Sequence, residues 1–458
     1  MPAGQTTSSA VIDELRNAVS GPVITPDDST YDKVRRVFAG DVDGHPAVIV
    51  RAASADDVAR TVDIARDADA ELAVRSGGHN GAGHGTTDGG IVLDLRDLNR
   101  IEFDLDDRIA WADGGVTAAA YTNAAGEHGL ATGFGDTGSV GISGLTLGGG
   151  IGFLVRKFGL TIDSLLAAEI VTADGKVRLV DEEHEPDLFW AIRGGGGNFG
   201  VATRLKFRLH EVPQIVGGMM ILPASAETVE GFMAEADAAP DELSTIANVM
   251  PCPPMPFVPE AKHGELVIFG LLTYAGDVAD GQKVLDRFRG LGEPIADLTQ
   301  AMPYPGMYFP DDEEYRPTAI AKTLFIEGVD AATASTIMER LGASDAAMRV
   351  TQLRRLGGAM ARVPSDATAF AHRDSAIMAS VAAFYEGPDD RPIREAWVND
   401  LSAALPQDGG VYVNFLVHEG EAGIRAAYPP ATYDRLAAIK RQYDPGNLFR
   451  RNQNIPPA

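Results

Sequence analysis

Residues 71–95 read ELAVRSGGHNGAGHGTTDGGIVLDL, and the fold turns on how this stretch is read. Leu72, Val74 and Ser76 alternate with Ala73 and Arg75, Gly77-Gly78 ends the alternation, and Ile91 to Leu95 resumes as an apolar run. The pattern predicts two short strands enclosing a glycine-rich loop that carries His79 and His84. A loop with so little side chain lets its backbone approach something flat or anionic. A long hairpin turn carrying an incidental histidine explains the same pattern.

Outward from this stretch the chain alternates helix and strand signals. Upstream, Ser54-Ala55-Asp56-Asp57 matches a capping box with aspartate at the third helical position, and Val58, Val62 and Ala65 fall on one face as far as Asp69. Residues 1–42 are polar and mixed, with one short helical pattern at Val11, Leu15 and Val19. Downstream, 108–113 reads as a strand and 116–128 as a helix stopped by Gly129. Asp174-Gly175 marks a hairpin turn between 170–173 and 176–180, and from Val201 apolar Leu205, Phe207 and Leu209 alternate with Arg204, Lys206 and Arg208. Punctuation changes at Glu211-Val212-Pro213, where a domain boundary is expected.

Beyond it, strands are expected over 215–222, 244–249, 266–273, 320–326, 348–356 and 376–384, with helices over 224–238, 278–290, 331–341 and 392–405. That order favours an antiparallel sheet backed by helices. MPYPGMYFP at 302–310 is too rich in proline for regular structure, and 411–415 reads as an alternating strand with Tyr412 and Asn414 on one side.

A chain of 458 residues exceeds one ordinary core, which predicts two or three domains. With 45% hydrophobic and 23% charged residues the composition is that of a soluble globular protein. The net charge of −26 argues against nucleic acid or an anionic membrane as partner. The single cysteine, Cys252, excludes an intrachain disulfide and any cysteine-based zinc or iron–sulfur site, and no metal centre is expected. The first residues, MPAGQTTSSAVIDELRN, lack a basic region followed by an apolar core, and no apolar run approaches the roughly 18 residues that span a bilayer. The cytoplasm is the expected location.

Two further glycine-rich stretches follow the first: GFGDTGSVGISGLTLGGGIG at 133–152 and GGGGNFG at 194–200. Gly195-x-Gly197-x-x-Gly200 matches the dinucleotide fingerprint, but that fingerprint requires a strand before it and a helix after it. Here a helix (186–193) precedes and a strand follows, so a Rossmann site is rejected. No GxxxxGK[ST] occurs, which removes a P-loop as well.

Arg75-Ser76-Gly77-Gly78-His79, Val140-Gly141-Ile142-Ser143-Gly144 with Gly148 to Gly150, Gly194 to Val201, and the tail from Tyr443-Asp444-Pro445-Gly446-Asn447 through Asn454-Ile455-Pro456-Pro457 together resemble the FAD-linked oxidases of the vanillyl-alcohol-oxidase superfamily. Within it they resemble the group that contains berberine-bridge-enzyme-like proteins and 6-hydroxy-D-nicotine oxidase. The middle of the chain resembles the family only in element order and in short pieces such as His372-Arg373.

The resemblance implies an α+β fold: a PCMH-type FAD-binding domain of two α+β subdomains, and a substrate domain with an antiparallel sheet backed by helices. The lead-in is 1–42, the FAD-binding domain 43–212, the substrate-binding domain 213–408, and the returning segment 409–458. It places at the cofactor Arg75, Ser76, Gly77, Gly78, His79 and Asn80; Thr137, Gly138, Ser139, Val140, Gly141, Ser143, Gly144, Gly149, Gly150 and Gly152; Val171; Gly195, Gly196, Asn198, Gly200 and Val201; and Asn414 and Asn452. His79 matches the histidine that family members join covalently to the flavin, a substitution that raises the flavin potential. His84 has no part in the pattern and reads as a polar loop residue.

Many members add a second bond from a cysteine whose position is Thr137 here, so that bond is ruled out. Thr137 is expected beside the isoalloxazine, with its hydroxyl toward N5 or a bound oxygen species. Val140 matches a position where valine accompanies access of O₂. Several members use a tyrosine at the position of Phe415 as catalytic base, and phenylalanine takes no proton. The remaining candidates for the base are Tyr412 on the same strand and the loop tyrosines Tyr304 and Tyr308, and Tyr412, Asn414 and Thr137 are the expected catalytic residues. The implied activity is an oxidase that takes hydride from a small alcohol, phenol or amine and reduces O₂ to H₂O₂. Alternatives on the same scaffold are an oxygenating flavoenzyme, an oligosaccharide oxidase and a flavin-binding protein without turnover.

Overall fold

The structure is a computed structural model that describes residues 6–310, 312, 314–417 and 419–458. Strands Leu72–Arg75 and Ile91–Asp94 pair in parallel, with Leu72 opposite Ile91. The stretch between them is therefore a crossover and not a hairpin turn, and its glycines carry it over the end of the sheet. Val48–Arg51 pairs in parallel on the other side of Ile91–Asp94, and Val23–Ile24 closes a four-stranded sheet.

Helix Ala55–Asp67 connects two of these strands and buries Val58, Val62 and Ala65 completely. Ser54 caps it, its Oγ accepting from the Asp57 amide at 3.2 Å. The reciprocal half of the expected capping box is absent. The Asp57 carboxylate instead accepts from the amides of Ser20 (2.8 Å), Gly21 (3.0 Å) and Ala53 (2.9 Å), so it ties the N-terminal segment to the helix start.

The second sheet has five antiparallel strands in the order Ile101–Asp104, Ile109–Asp113, Val201–Arg208, Leu165–Val171 and Val177–Val180. Helices Ala118–Gly126 and Pro186–Ile192 share a core with it, and Leu436, Ile439 and Tyr443 of the late helix Pro430–Tyr443 belong to the same core. The C-terminal segment thus returns to the first half of the chain.

The third sheet runs Ala296–Asp297, Ile215–Pro223, Leu266–Tyr274, Leu243–Pro251, Arg349–Arg355, Ile377–Phe384 and Ala319–Ile326, with Gln300–Met302 also on Ile215–Pro223. Its pairings are antiparallel. Leu324, Ala379, Leu353, Ala247 and Ile268 face the helices Ala226–Ala238, Ala331–Ala343 and Arg391–Ala404 in one apolar core. By the period-two rule the neighbouring positions face away from the helices. Register aligns Thr323, Ser380, Gln352 and Asn248 as one polar row across four strands of that face. The architecture is the expected α+β arrangement.

Two local expectations are corrected. Residues 413–415 form a 3₁₀ turn, Val413–Phe415, and not a strand, although Tyr412 and Asn414 still meet, with Asn414 Nδ2 donating to Tyr412 Oη at 2.8 Å. The proline-rich 302–310 contains a 3₁₀ helix, Tyr304–Met307, whose two end side chains are buried.

Candidate cofactor and substrate site

The three glycine-rich loops and the tail surround one cavity of about 500 Å³. Its floor exists because two loops touch backbone to backbone. A Cβ on Gly77 would lie 2.3 Å from the Gly141 nitrogen, and one on Gly141 would lie 2.0 Å from Ser76 Oγ. Ser76 Oγ (2.8 Å) and Ser143 Oγ (2.7 Å) both donate to the Gly114 carbonyl, which pins the two loops to a third segment.

Of the expected cofactor residues, Arg75 to Asn80 of the first loop, Thr137, Val140, Gly141, Ser143 and Gly144 of the second, Gly195, Gly196, Asn198, Gly200 and Val201 of the third, and Asn414 and Asn452 line the cavity, as does the catalytic candidate Tyr412. Arg75 and Asn198, like Ser76 and Ser143, have side chains already engaged by the protein. The buried Arg75 guanidinium pairs with Asp94 at 2.9 Å and donates to the Val34 carbonyl at 2.9 Å. Asn198 donates to the Gly195 (2.9 Å) and Gln453 (3.1 Å) carbonyls and accepts from the Ile455 amide (2.9 Å), so it clasps the tail to the third loop.

Six expected residues are not on the wall: Gly138, Ser139, Gly149, Gly150, Gly152 and Val171. The Gly138 carbonyl accepts from the Ala119 amide at 2.9 Å, and the Ser139 carbonyl lies 3.0 Å from where a Cβ on Gly77 would stand, behind the contact of the loops. Gly149 faces the Phe370 ring and Gly150 the Thr161 side chain, while a Cβ on Gly152 would fall 1.3 Å from the Phe134 carbonyl oxygen. Val171 pairs with both Val201 and Val177 and belongs to a hydrophobic core. Gly149, Gly150 and Gly152 leave no room for a Cβ, and Val171 is held by apolar packing.

His79 is half-buried on the wall, with its ring stacked on Phe38 (centroids 4.4 Å apart, planes at 22°). Tyr412 is buried, and its Oη accepts from the Gly150 amide at 2.9 Å as well as from Asn414. Asn414 Nδ2 also donates to the Leu145 carbonyl at 2.9 Å. Burial raises the Tyr412 pKa above that of an ordinary phenol although both donors pull the other way. Its phenol therefore stays protonated, with its own hydrogen as the remaining donor.

Sequence reading passed over several wall residues. His84 lines the cavity despite its reading as a polar loop residue, as do Asp136, Tyr428, Arg451 and Gln453, and so does the singled-out Phe415. Asp136 adjoins the singled-out Thr137, and Arg451 and Gln453 flank Asn452, so adjacency was the available signal. Thr323 and Ser380, whose hydroxyls lie 3.0 Å apart on the polar face of the third sheet, also reach the wall and carry no motif at all.

The wall accommodates a large planar cofactor with polar edges. Glycines leave backbone uncovered, and the buried Oδ1 of Asn452 has no hydrogen-bond partner within the protein, which suits a donor on a ligand. Residues 46–181 match the family model for the FAD binding domain, and 411–456 match that for berberine and berberine like proteins. The chain is 32% identical to (R)-6-hydroxynicotine oxidase of Paenarthrobacter nicotinovorans over 96% of this chain and 97% of that one. The crystal structure of 6-hydroxy-D-nicotine oxidase from Arthrobacter nicotinovorans superposes with a TM-score of 0.85 at 31% identity, covering 96% of this chain and 98% of that one. Xylooligosaccharide oxidase from Myceliophthora thermophila shares the fold, with a TM-score of 0.84 at 23% identity over 98% of this chain and all of that one. The protein belongs to the berberine-bridge-enzyme-like family of FAD-linked oxidoreductases, and FAD is its cofactor.

Proposed function

We propose that the protein is an oxidase in which His79 carries FAD covalently, that it acts on a small substrate with a C–H beside oxygen or nitrogen, and that O₂ is its electron acceptor, reduced to H₂O₂. The observation that carries this reading is that His79, Thr137 and the Tyr412–Asn414 pair share one cavity wall. When bound, FAD supplies the hydride acceptor and returns the electrons to O₂. The protein's part is positioning. The Gly77–Gly141 contact shapes the floor, the ring of Phe38 orients His79, and Thr137 and Val140, both lining the cavity, are the residues proposed to meet oxygen.

On this reading the FAD domain is built from 43–212 with 409–458, and the polar face of the third sheet, from 213–408, covers the substrate. Support comes from the mixed lining: Asn452 and Gln453 from the tail and Thr323 and Ser380 from the third sheet. The substrate class that fits best is an activated aromatic, heteroaromatic or amine, because Phe415, where several relatives carry a tyrosine, offers an apolar surface to the cavity. A relative named for 6-hydroxynicotine agrees with that choice.

The test is peroxide formation under air, with bleaching of the flavin absorbance under nitrogen, against (R)-6-hydroxynicotine, benzylic alcohols, cyclic amines and oligosaccharides. Peroxide with an aromatic or amine donor is expected. Bleaching without peroxide would make it a dehydrogenase, and efficient oxidation of sugars alone would overturn the substrate class.

A further inference from the structure

Phe415 leaves open where the substrate's proton goes. We infer that the carboxylate of Asp136 is the proton acceptor, and this rests on the oxidase reading above. Among the described residues on the cavity wall, Asp136 is the sole carboxylate. It precedes Thr137 and ion-pairs through Oδ2 with Arg354 of strand Arg349–Arg355. The same Arg354 guanidinium stands 5.8 Å over the Phe415 ring, so the carboxylate and the ring at 415 flank one arginine.

Arg354 is itself fixed. Its Nε donates to Gln352 Oε1 at 2.9 Å, and Gln352 Nε2 donates to Asn248 Oδ1 at 2.8 Å, so the polar row of the sheet holds the pair in place. On the other oxygen, Thr137 Oγ1 approaches Oδ1 at 3.3 Å, a long contact that leaves lone pairs for a substrate O–H or N–H. The other groups around Asp136 are poorer acceptors. Tyr304 is buried and Tyr308 half-buried, with Tyr308 Oη donating to the Gly135 carbonyl at 3.0 Å, and desolvation raises both phenol pKa values. Tyr412 holds its proton, and Tyr428 donates to the Gly194 carbonyl at 3.0 Å.

In the step, the substrate X–H bond breaks and its proton passes to Asp136 Oδ1, while its electron pair becomes the second bond of C=X. The C–H bond on the adjacent carbon breaks with its pair leaving as hydride to FAD. The carboxylate is anchored through Oδ2 by Arg354 and keeps lone pairs on Oδ1, whereas each of these phenols is already engaged in hydrogen bonds within the protein.

The experiment follows anaerobic FAD reduction across pH in wild type, Asp136→Asn, Asp136→Glu and Tyr412→Phe, using whichever of (R)-6-hydroxynicotine, a benzylic alcohol and a cyclic amine reduces wild type fastest. Flavin content and melting temperature are measured alongside. Asp136→Asn is expected to slow reduction about 10²–10⁴-fold and to remove the acid limb of the pH profile at unchanged flavin content. Asp136→Glu should keep that limb, and Tyr412→Phe should keep it as well, whatever its effect on the rate. An acid limb that survives Asp136→Asn with a rate within a few-fold of wild type would overturn the assignment. If Asp136→Asn loses flavin, an Asp136→Glu enzyme without an acid limb would overturn it equally. Absence of reduction in wild type counts against the oxidase reading itself, so the two failures are distinguishable.

Discussion

His210 lies face to face with Phe158, its ring centroid 4.1 Å away and tilted by 14°, and shares a 2.9 Å hydrogen bond with Ser164 Oγ. Burial, and then the charges of Arg208 and Lys157, push its pKa down to about 4 from 6.5. The folded state therefore binds fewer protons than the unfolded chain between these values, and its contribution to stability is present above pH 6.5 and lost as pH falls toward 4. After discounting for partial exposure the effect is on the order of 2 kcal/mol. The melting temperature of wild type should fall more steeply between pH 6.5 and 4 than that of His210→Gln; parallel curves would show that His210 plays no part in acid sensitivity. No sequence signal marked this histidine, because its lowered pKa comes first from burial against Phe158, a packing that only the fold produces. The same holds for Asp57, read as half of a capping box and found bonded to Ser20 and Gly21.

The tail segment shows what an element adds. Lys440 is fully buried and donates to Asp444 Oδ2 (2.6 Å) and to the carbonyls of Asn198 (2.7 Å) and Phe449 (2.9 Å). Asp444 in turn accepts from the amides of Leu448 (2.8 Å) and Phe449 (2.9 Å), which closes the turn after helix Pro430–Tyr443. One ammonium thus joins the helix, the turn and the third glycine-rich loop. Lys440→Met leaves a buried carboxylate without its cation, and a loss of roughly 3–5 kcal/mol is expected in chemical denaturation. Stability within about 1 kcal/mol of wild type would contradict this. Long strands were legible because four to eight alternating residues carry a period. The four residues 412–415 were not, since an extended residue entering a 3₁₀ turn also sets Tyr412 and Asn414 together.

Over the whole molecule, the net charge of −26 works against compaction in dilute buffer. Sodium chloride raised from about 10 mM to about 150 mM shortens the Debye length from roughly 30 Å to 8 Å. The melting temperature should rise over that range and stay level with an equal osmolality of sucrose; the reverse order would show that exposed ion pairs outweigh the repulsion. Three glycine-rich stretches and a tail signature made the cofactor cavity legible from the amino acids alone, because close backbone approach demands glycine at fixed positions of the chain. The covering face of the third sheet was not legible: Thr323, Ser380 and Arg354 sit on strands whose register alone brings them to the cavity or its edge.

The central claim is that His79, on the loop of residues 71–95, carries the FAD of this cavity. It is tested most directly by precipitating the purified protein in acid and measuring flavin in pellet and supernatant, with His79→Ala in parallel. The flavin should stay in the wild-type pellet and appear in the supernatant of His79→Ala. A colourless wild-type pellet would contradict the claim.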